Sequence, residues 1–174
     1  CSVFNAEHVL MINGGDINAG AIADYYCNQS GLGYPTSIGI MALPFPQDTS
    51  NYLLLHFWAD FFTFYKRLQY SKIDITQSKG LGAVVQKNEI AFQDTFTNHL
   101  TAVRHGNGRD WWIAAHKGRS NRSLLFLLDP AGIHPPVTQH IGPVWGPRDW
   151  SGQSVFSPDG RKYARANPDH DPPA

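Results

Sequence analysis

Apolar and polar residues follow one another in short runs along this chain. Period-two alternation or unbroken apolar stretches of four to eight residues are bounded by Gly, Pro, Asn, Asp and Ser, which predicts β-strands and turns throughout. Ser2 to Met11 alternates imperfectly and ends at Asn13-Gly14-Gly15, so it reads as one strand closed by a turn. Residues 13–35 read as a long loop in which only Ala21 to Tyr26 offers a short helical turn. Ile38 to Leu43 then reads as a strand and Pro44 to Ser50 as a turn. Asn51 to Trp58 reads as a strand whose Tyr-Leu-Leu-Leu run implies burial on both faces. Phe61, Phe62, Phe64 and Tyr65 form an aromatic connection suited to plugging the core. Arg67 to Thr76 alternates as an outer strand does, and Gly82 to Phe92 supplies a fourth.

A second set repeats this order: Leu100 to His105, Asp110 to Lys117, Ser123 to Leu128 and Val137 to Ile141. The repeat is visible residue by residue at an offset of 60, because Ile40 to His56 and Leu100 to His116 align without a gap. Ala42 then meets Ala102, Leu43 meets Val103, Tyr52 meets Trp112, Leu53 meets Ile113, and His56 meets His116. A sheet unit that recurs along a chain points to a β-propeller or a related array. The expected fold is therefore all-β, a partial propeller of four-stranded antiparallel blades. Residues 1–35 are the trailing strand and loop of a preceding blade, 36–92 and 99–142 are two whole blades, and 150–174 begin another. Closure needs typically four to eight blades, so a slice of a larger propeller is expected, with its remaining blades as partners.

Two motifs extend this reading. FSPDGRKYA, Phe156 to Ala164, resembles the F-S-P-D-G-K-x-[IL]-A hairpin of the WD40-like repeat of secreted and periplasmic bacterial propellers, departing from it at Tyr163, where an aliphatic residue is commoner. Leu100 to Asn121, with IGPVW and FSPDG, resembles the N-terminal propeller region of large secreted bacterial proteins of the gliding-motility and type IX secretion sorting kind. Ser2 to Asn18 and Gly80 to Phe92 fit the same pattern. The resemblance implies an extracellular or cell-surface protein with a non-catalytic domain that binds a protein or a glycan. The competing reading is a carbohydrate-active or phosphoesterase propeller with acids near its central channel.

Charge adds little to this picture. Fourteen Lys and Arg balance fourteen Asp and Glu, so no net field recruits nucleic acid, and no apolar run reaches the length of a membrane span. Cys1 and Cys27 are too few for a thiolate metal site. They fit a disulfide closing a loop around NGGDINAG, a pair of reduced small apolar residues, or a lipid-bearing Cys1. No cofactor is expected.

Candidate chemistry is sparse. No helix-spaced histidine pair occurs among the eight histidines. If Gly106 to Arg109 closes a hairpin with His105 opposite Asp110, however, His99 falls opposite His116, near enough to share a ligand. The simpler expectation for His116 is a structural hydrogen bond. Asp16, Asn18 and Gly20 begin like a calcium loop but lack its further carboxylates, and turn chemistry accounts for them equally well. No nucleophile elbow or poised cysteine is present, so no catalytic residue is assigned. Asp110 and Asp159 sit in strand-linking turns, where Asp usually serves the backbone. Trp111 and Trp112 are adjacent on a strand and must face opposite sides. Trp145 and Trp150, in the irregular GPVWGPRDWSG, are the candidate ligand-contact aromatics.

Overall fold

The computed structural model describes residues 1–36, 39–60, 65–144, 146 and 152–166. It is all-β and antiparallel, with short helical turns at Ala21–Ala23, Asp24–Gln29 and Ser78–Gly80. Strands β1 (Ile40–Pro44), β2 (Asn51–Ala59), β3 (Tyr65–Asp74), β4 (Ala83–Arg104), β5 (Trp111–Lys117), β6 (Arg122–Asp129) and β7 (Gly132–Ile133) pair in chain order, and β8 (Val137–His140) pairs with β6. A separate hairpin joins β9 (Gln153–Phe156) to β10 (Tyr163–Ala166).

The sequence predicts two strands, Gly82 to Phe92 and Leu100 to His105, where the structure has one of 22 residues. Phe96 lies opposite both Tyr65 of β3 and Lys117 of β5, so β4 closes one four-stranded half and opens the next. The link was hidden because Thr97, Asn98 and His99 look like loop residues, yet all three are buried. His99 Nδ1 bonds the Thr97 hydroxyl and its Nε2 donates to the Ala166 carbonyl, which lets a polar run continue as interior strand.

The two halves pack face to face. Leu43, Leu55, Phe57, Leu68 and Phe96 of the first meet Leu100, Ile113, Phe126 and Leu128 of the second in one core. Their first strands run side by side in the same direction. At one end a Cβ on Gly39 would come within 2.9 Å of Asn98 Oδ1; at the other, Trp111 Nε1–H donates to the Pro44 carbonyl. The β9–β10 hairpin continues this stacking on the far side of the second half. Gly152 abuts His99, where a Cβ would lie 2.7 Å from Nε2, and Gly160 meets Val103.

Residues 3–19 cover the far side of the first half. Val3 and Met11 pack on Leu54, Ile73 and Val84, and the Val84 N–H donates to the Ile12 carbonyl. The expected single strand over Ser2 to Met11 is instead a tight reversal that brings Phe4 opposite Leu10. Asn5 causes it, because its side-chain oxygen accepts the N–H groups of Glu7 and Val9 and turns the chain. Strand β3 is interior rather than outer: Ser71 and Gln69, which read as a polar face, are buried beneath this segment. Residues 61–64 of the aromatic connection lie outside the described residues, while Tyr65 is buried with its ring 5.6 Å from Phe57.

Candidate functional site

Each outward face of the sheet carries a buried histidine that ties it to its covering layer. On the first half, His56 Nδ1–H donates to Asn18 Oδ1 at 2.5 Å, and the Asn18 amide donates to the Phe57 carbonyl. The Ser71 hydroxyl bonds His56 Nε2 at 3.1 Å and accepts the Asn88 N–H. Every polar atom of the imidazole is thereby used, and burial lowers its pKa to about 4, which keeps it neutral. Asn18 is buried against this ring and its oxygen is spent there, so Asp16, Asn18 and Gly20 do not form a cation loop. The Asp16 carbonyl instead accepts from Asn88.

On the second half, His116 Nδ1 bonds the Ser123 hydroxyl at 3.1 Å and Nε2 bonds the Tyr163 hydroxyl of β10. His99 lies beside it with ring centroids 6.2 Å apart, and the register has Leu100 opposite Ala115, as the hairpin argument requires. Burial, then the Arg165 charge, then His99 lower the His116 pKa to about 3. Burial, then Arg165, lower that of His99 to about 4, against the opposing bond to the Ala166 carbonyl. Both rings already have protein partners, and no group of three or more His, Cys, Asp or Glu is placed to hold a metal ion among the described residues.

The offset of 60 does not survive as a spatial equivalence along the whole repeat. Leu43 faces the second half and Val103 faces β9–β10, so on the first strands matched residues point in the same stacking direction. On the next strands Leu53 and Ile113 face each other across the shared core, while His56 and His116 face opposite ends of the molecule. The turn between the Pro44–Tyr52 and Arg104–Trp111 pairs is one residue shorter in the second half, and a one-residue change reverses the side of every following side chain.

His116, Ser123, Ile141 and Tyr163 line a groove along the outward face of the second half, continued by Leu125 and Phe156 on one side and Asn121 and Arg165 on the other. Ser123 and Arg165 were invisible as site residues in the sequence, which gives no indication of neighbours across strands. Tyr163 did leave a signal: it is the position at which Phe156 to Ala164 departs from the hairpin motif it resembles, and its hydroxyl is the group that reaches His116. A second, open groove is lined by Trp58, Asp60, Lys66, Arg67 and Asp94. There the Arg67 guanidinium stacks 4.5 Å over the Trp58 ring, and Asp94 pairs with both Lys117 and Arg122.

The remaining candidates resolve into structural roles. Asp110 is held by Arg109 and Asn107, contacts that lower its pKa to about 2. Asp159 accepts from the Ser157 hydroxyl and the Arg161 N–H inside its turn. Trp111 packs against the shared core under the Arg104 guanidinium, 3.8 Å from the ring centroid, and Trp112 faces the other side beside His105. Trp145 and Trp150 lie outside the described residues. Cys1 and Cys27 form a disulfide, 26 residues apart in sequence. No helix among the described residues is long and apolar enough to cross a membrane. No protein-family model matches the chain, and no curated protein or solved structure matches it.

Proposed function

We propose that the chain is a run of stacked β-propeller blades that serves as a binding or scaffolding module, not as a catalyst, in a secreted or surface-bound protein. The observation that carries the propeller reading is the succession of layers. Two four-stranded units and the start of a third stack in order, and their first strands run alongside one another as strands around a propeller channel do. The disulfide between Cys1 and Cys27 agrees with an oxidising compartment.

Binding is favoured over catalysis by the state of the acids. Asp110 and Asp159 are consumed by their own turns, and Asp94 is neutralised by two cations, so none of these three is free to act as one of the paired carboxylates that glycoside hydrolysis needs. The enzymatic alternative keeps one foothold, the Trp58 groove, where Asp60 and Asp94 approach the same space. A glycan array and a panel of chromogenic glycosides and phosphoesters, run on the same preparation, separate the two. Saturable binding without turnover is expected; turnover abolished by Asp60→Asn would overturn the reading.

A further inference from the structure

A cleft opens between the two halves at the end of the sheet where β1 turns into β2. Phe45 of that turn, with Tyr70 and Lys72 of β3 and Gln86 of β4, forms one wall, and Gly132 and Ile133 of β7 form the other. Leu53 and Leu128 close the floor, 2% and 0% exposed. Phe45, Leu53, Tyr70, Leu128 and Ile133 all pack in or against the shared core, and Lys72, two residues after Tyr70, takes the same side of β3. Neither β3 nor β6 is an edge of the sheet. Layers added to either outward face therefore leave this cleft as it stands.

Both walls are held in place by their own turns. The Phe45 N–H donates to the Asn51 carbonyl and the Asp48 N–H to the Phe45 carbonyl, while the Pro44 carbonyl accepts from Trp111 of the second half. Opposite, Asp129 accepts the Ala131 N–H and pairs with His134 at 2.9 Å, and the His134 N–H donates to the Leu127 carbonyl. Between these anchored turns the space stays open, because a Cβ on Gly132 would meet nothing within 4 Å. A site preorganised in this way loses little to ordering when a ligand enters.

The cleft holds one cation and no counter-ion. The Lys72 ammonium lies 5.0 Å from the centroid of the Phe45 ring, which steadies it from below. Among the described residues it has neither a hydrogen bond nor an ion pair. Asp48 feels its charge but spends its oxygens on the Ser50 N–H and the Asn51 amide. Tyr70 and Gln86 line the same space, and their side chains also have no hydrogen bond among the described residues. An apolar floor with a few unspent polar groups at its rim is the usual make-up of a small-molecule site.

We infer that this cleft binds a small monocarboxylic acid with a branched aliphatic or aromatic body. The carboxylate sits on the Lys72 ammonium, and the body lies between Phe45 and Ile133 over Leu53 and Leu128. Lys72 is the one formal charge among the lining residues, so it matches a single carboxylate, whereas a phosphate dianion would bring a second charge that nothing in the cleft meets. The site is separate from any protein or glycan partner of the binding module.

The test is titration of the isotope-labelled full chain with 3-phenylpropionate and 4-methylpentanoate, followed by amide chemical shifts, with 3-phenylpropionamide as the uncharged control. Saturable shifts are expected at Phe45, Lys72, Gly132 and Ile133, with a Kd on the order of 1 mM for so small a ligand. Lys72→Met keeps the stem over Phe45 and removes the charge. It should weaken the acids by about tenfold or more and leave the amide's weaker binding unchanged, which separates loss of charge from loss of fold. Ala131→Leu, at an exposed position in the turn at the mouth, should abolish binding of acid and amide alike while the thermal melt stays the same. Acids that bind Lys72→Met or Ala131→Leu as well as the native chain, an amide that binds as tightly as its acid, or no saturable shift in the cleft would each overturn the inference. Any of these would leave the binding module standing, because that reading is tested by glycan binding and by turnover.

Discussion

At the scale of single residues, three buried histidines give the molecule a one-sided response to acid. His56, His99 and His116 titrate near 4, 4 and 3 in the folded chain, against about 6.5 when exposed by unfolding. Each group's folded pKa is depressed, so the unfolded state binds protons first as pH falls. Their contribution to stability is constant above about pH 7, declines between about 6.5 and 4, and levels off once the folded histidines also take up protons. Unfolding free energies from urea titrations at pH 7.5 and 4.5 should differ by on the order of 2 kcal/mol for each histidine, and replacing His56 with Gln should reduce that difference and the accompanying shift of the midpoint. An unchanged midpoint would mean that water reaches these rings. The Asn18 tie is tested separately. Asn18→Ala leaves the buried His56 Nδ1–H without its acceptor, at a cost of about 1–3 kcal/mol. Asp16→Ala is the control, since Asp16 and Asn18 share a positive φ, near 58° and 59°, and the difference between the variants separates the two Asn18 side-chain bonds, to His56 and to the Phe57 carbonyl, from backbone strain.

Among elements, the N-terminal segment depends on a covalent clasp and a polar zipper. The disulfide closes a loop over residues 1–27, worth roughly 3 kcal/mol by loop entropy, while Asn13, Lys87 and Asn88 supply bonds along the sheet edge. Reduction should therefore speed hydrogen exchange across residues 1–29 while β2 and β5 keep their protection. Equal acceleration in β5 would show that the clasp supports the whole fold. Elements also show what a sequence conceals. The runs at Asn51 to Trp58 and Arg67 to Thr76 were legible because apolar patterning records burial directly, and the observed β2 and β3 begin and end within two residues of them. The continuity of β4 was not, since Thr97, Asn98 and His99 are polar yet buried, and the bond that accommodates His99 there reaches the Ala166 carbonyl, distant in sequence. The histidine repeat misled for a related reason. Identity at an offset of 60 says nothing about which face a residue takes once a turn has lost one residue.

For the whole molecule, stacked layers imply graded rather than uniform stability. The shared core is bounded on both sides by four-stranded sheet, whereas β9–β10 is a two-stranded hairpin resting on one face, an arrangement that opens locally at lower cost. The contact that holds it is largely polar: Tyr163 to His116, and the Ala166 carbonyl to His99. Tyr163→Phe keeps the ring that packs edge-on against Phe156 at 5.0 Å and removes only the hydroxyl. His116 Nε2 then loses its partner in a buried site, which costs about 1–3 kcal/mol. Because that loss falls on the docking of one layer, exchange should accelerate roughly five- to a hundredfold over residues 153–166, by the conversion of 1.4 kcal/mol per tenfold, while Phe57, Ile113 and Phe126 at the core exchange as before. If the core amides accelerate in step, the layers unfold together, and the hairpin belongs to one cooperative unit with the sheet on which it rests.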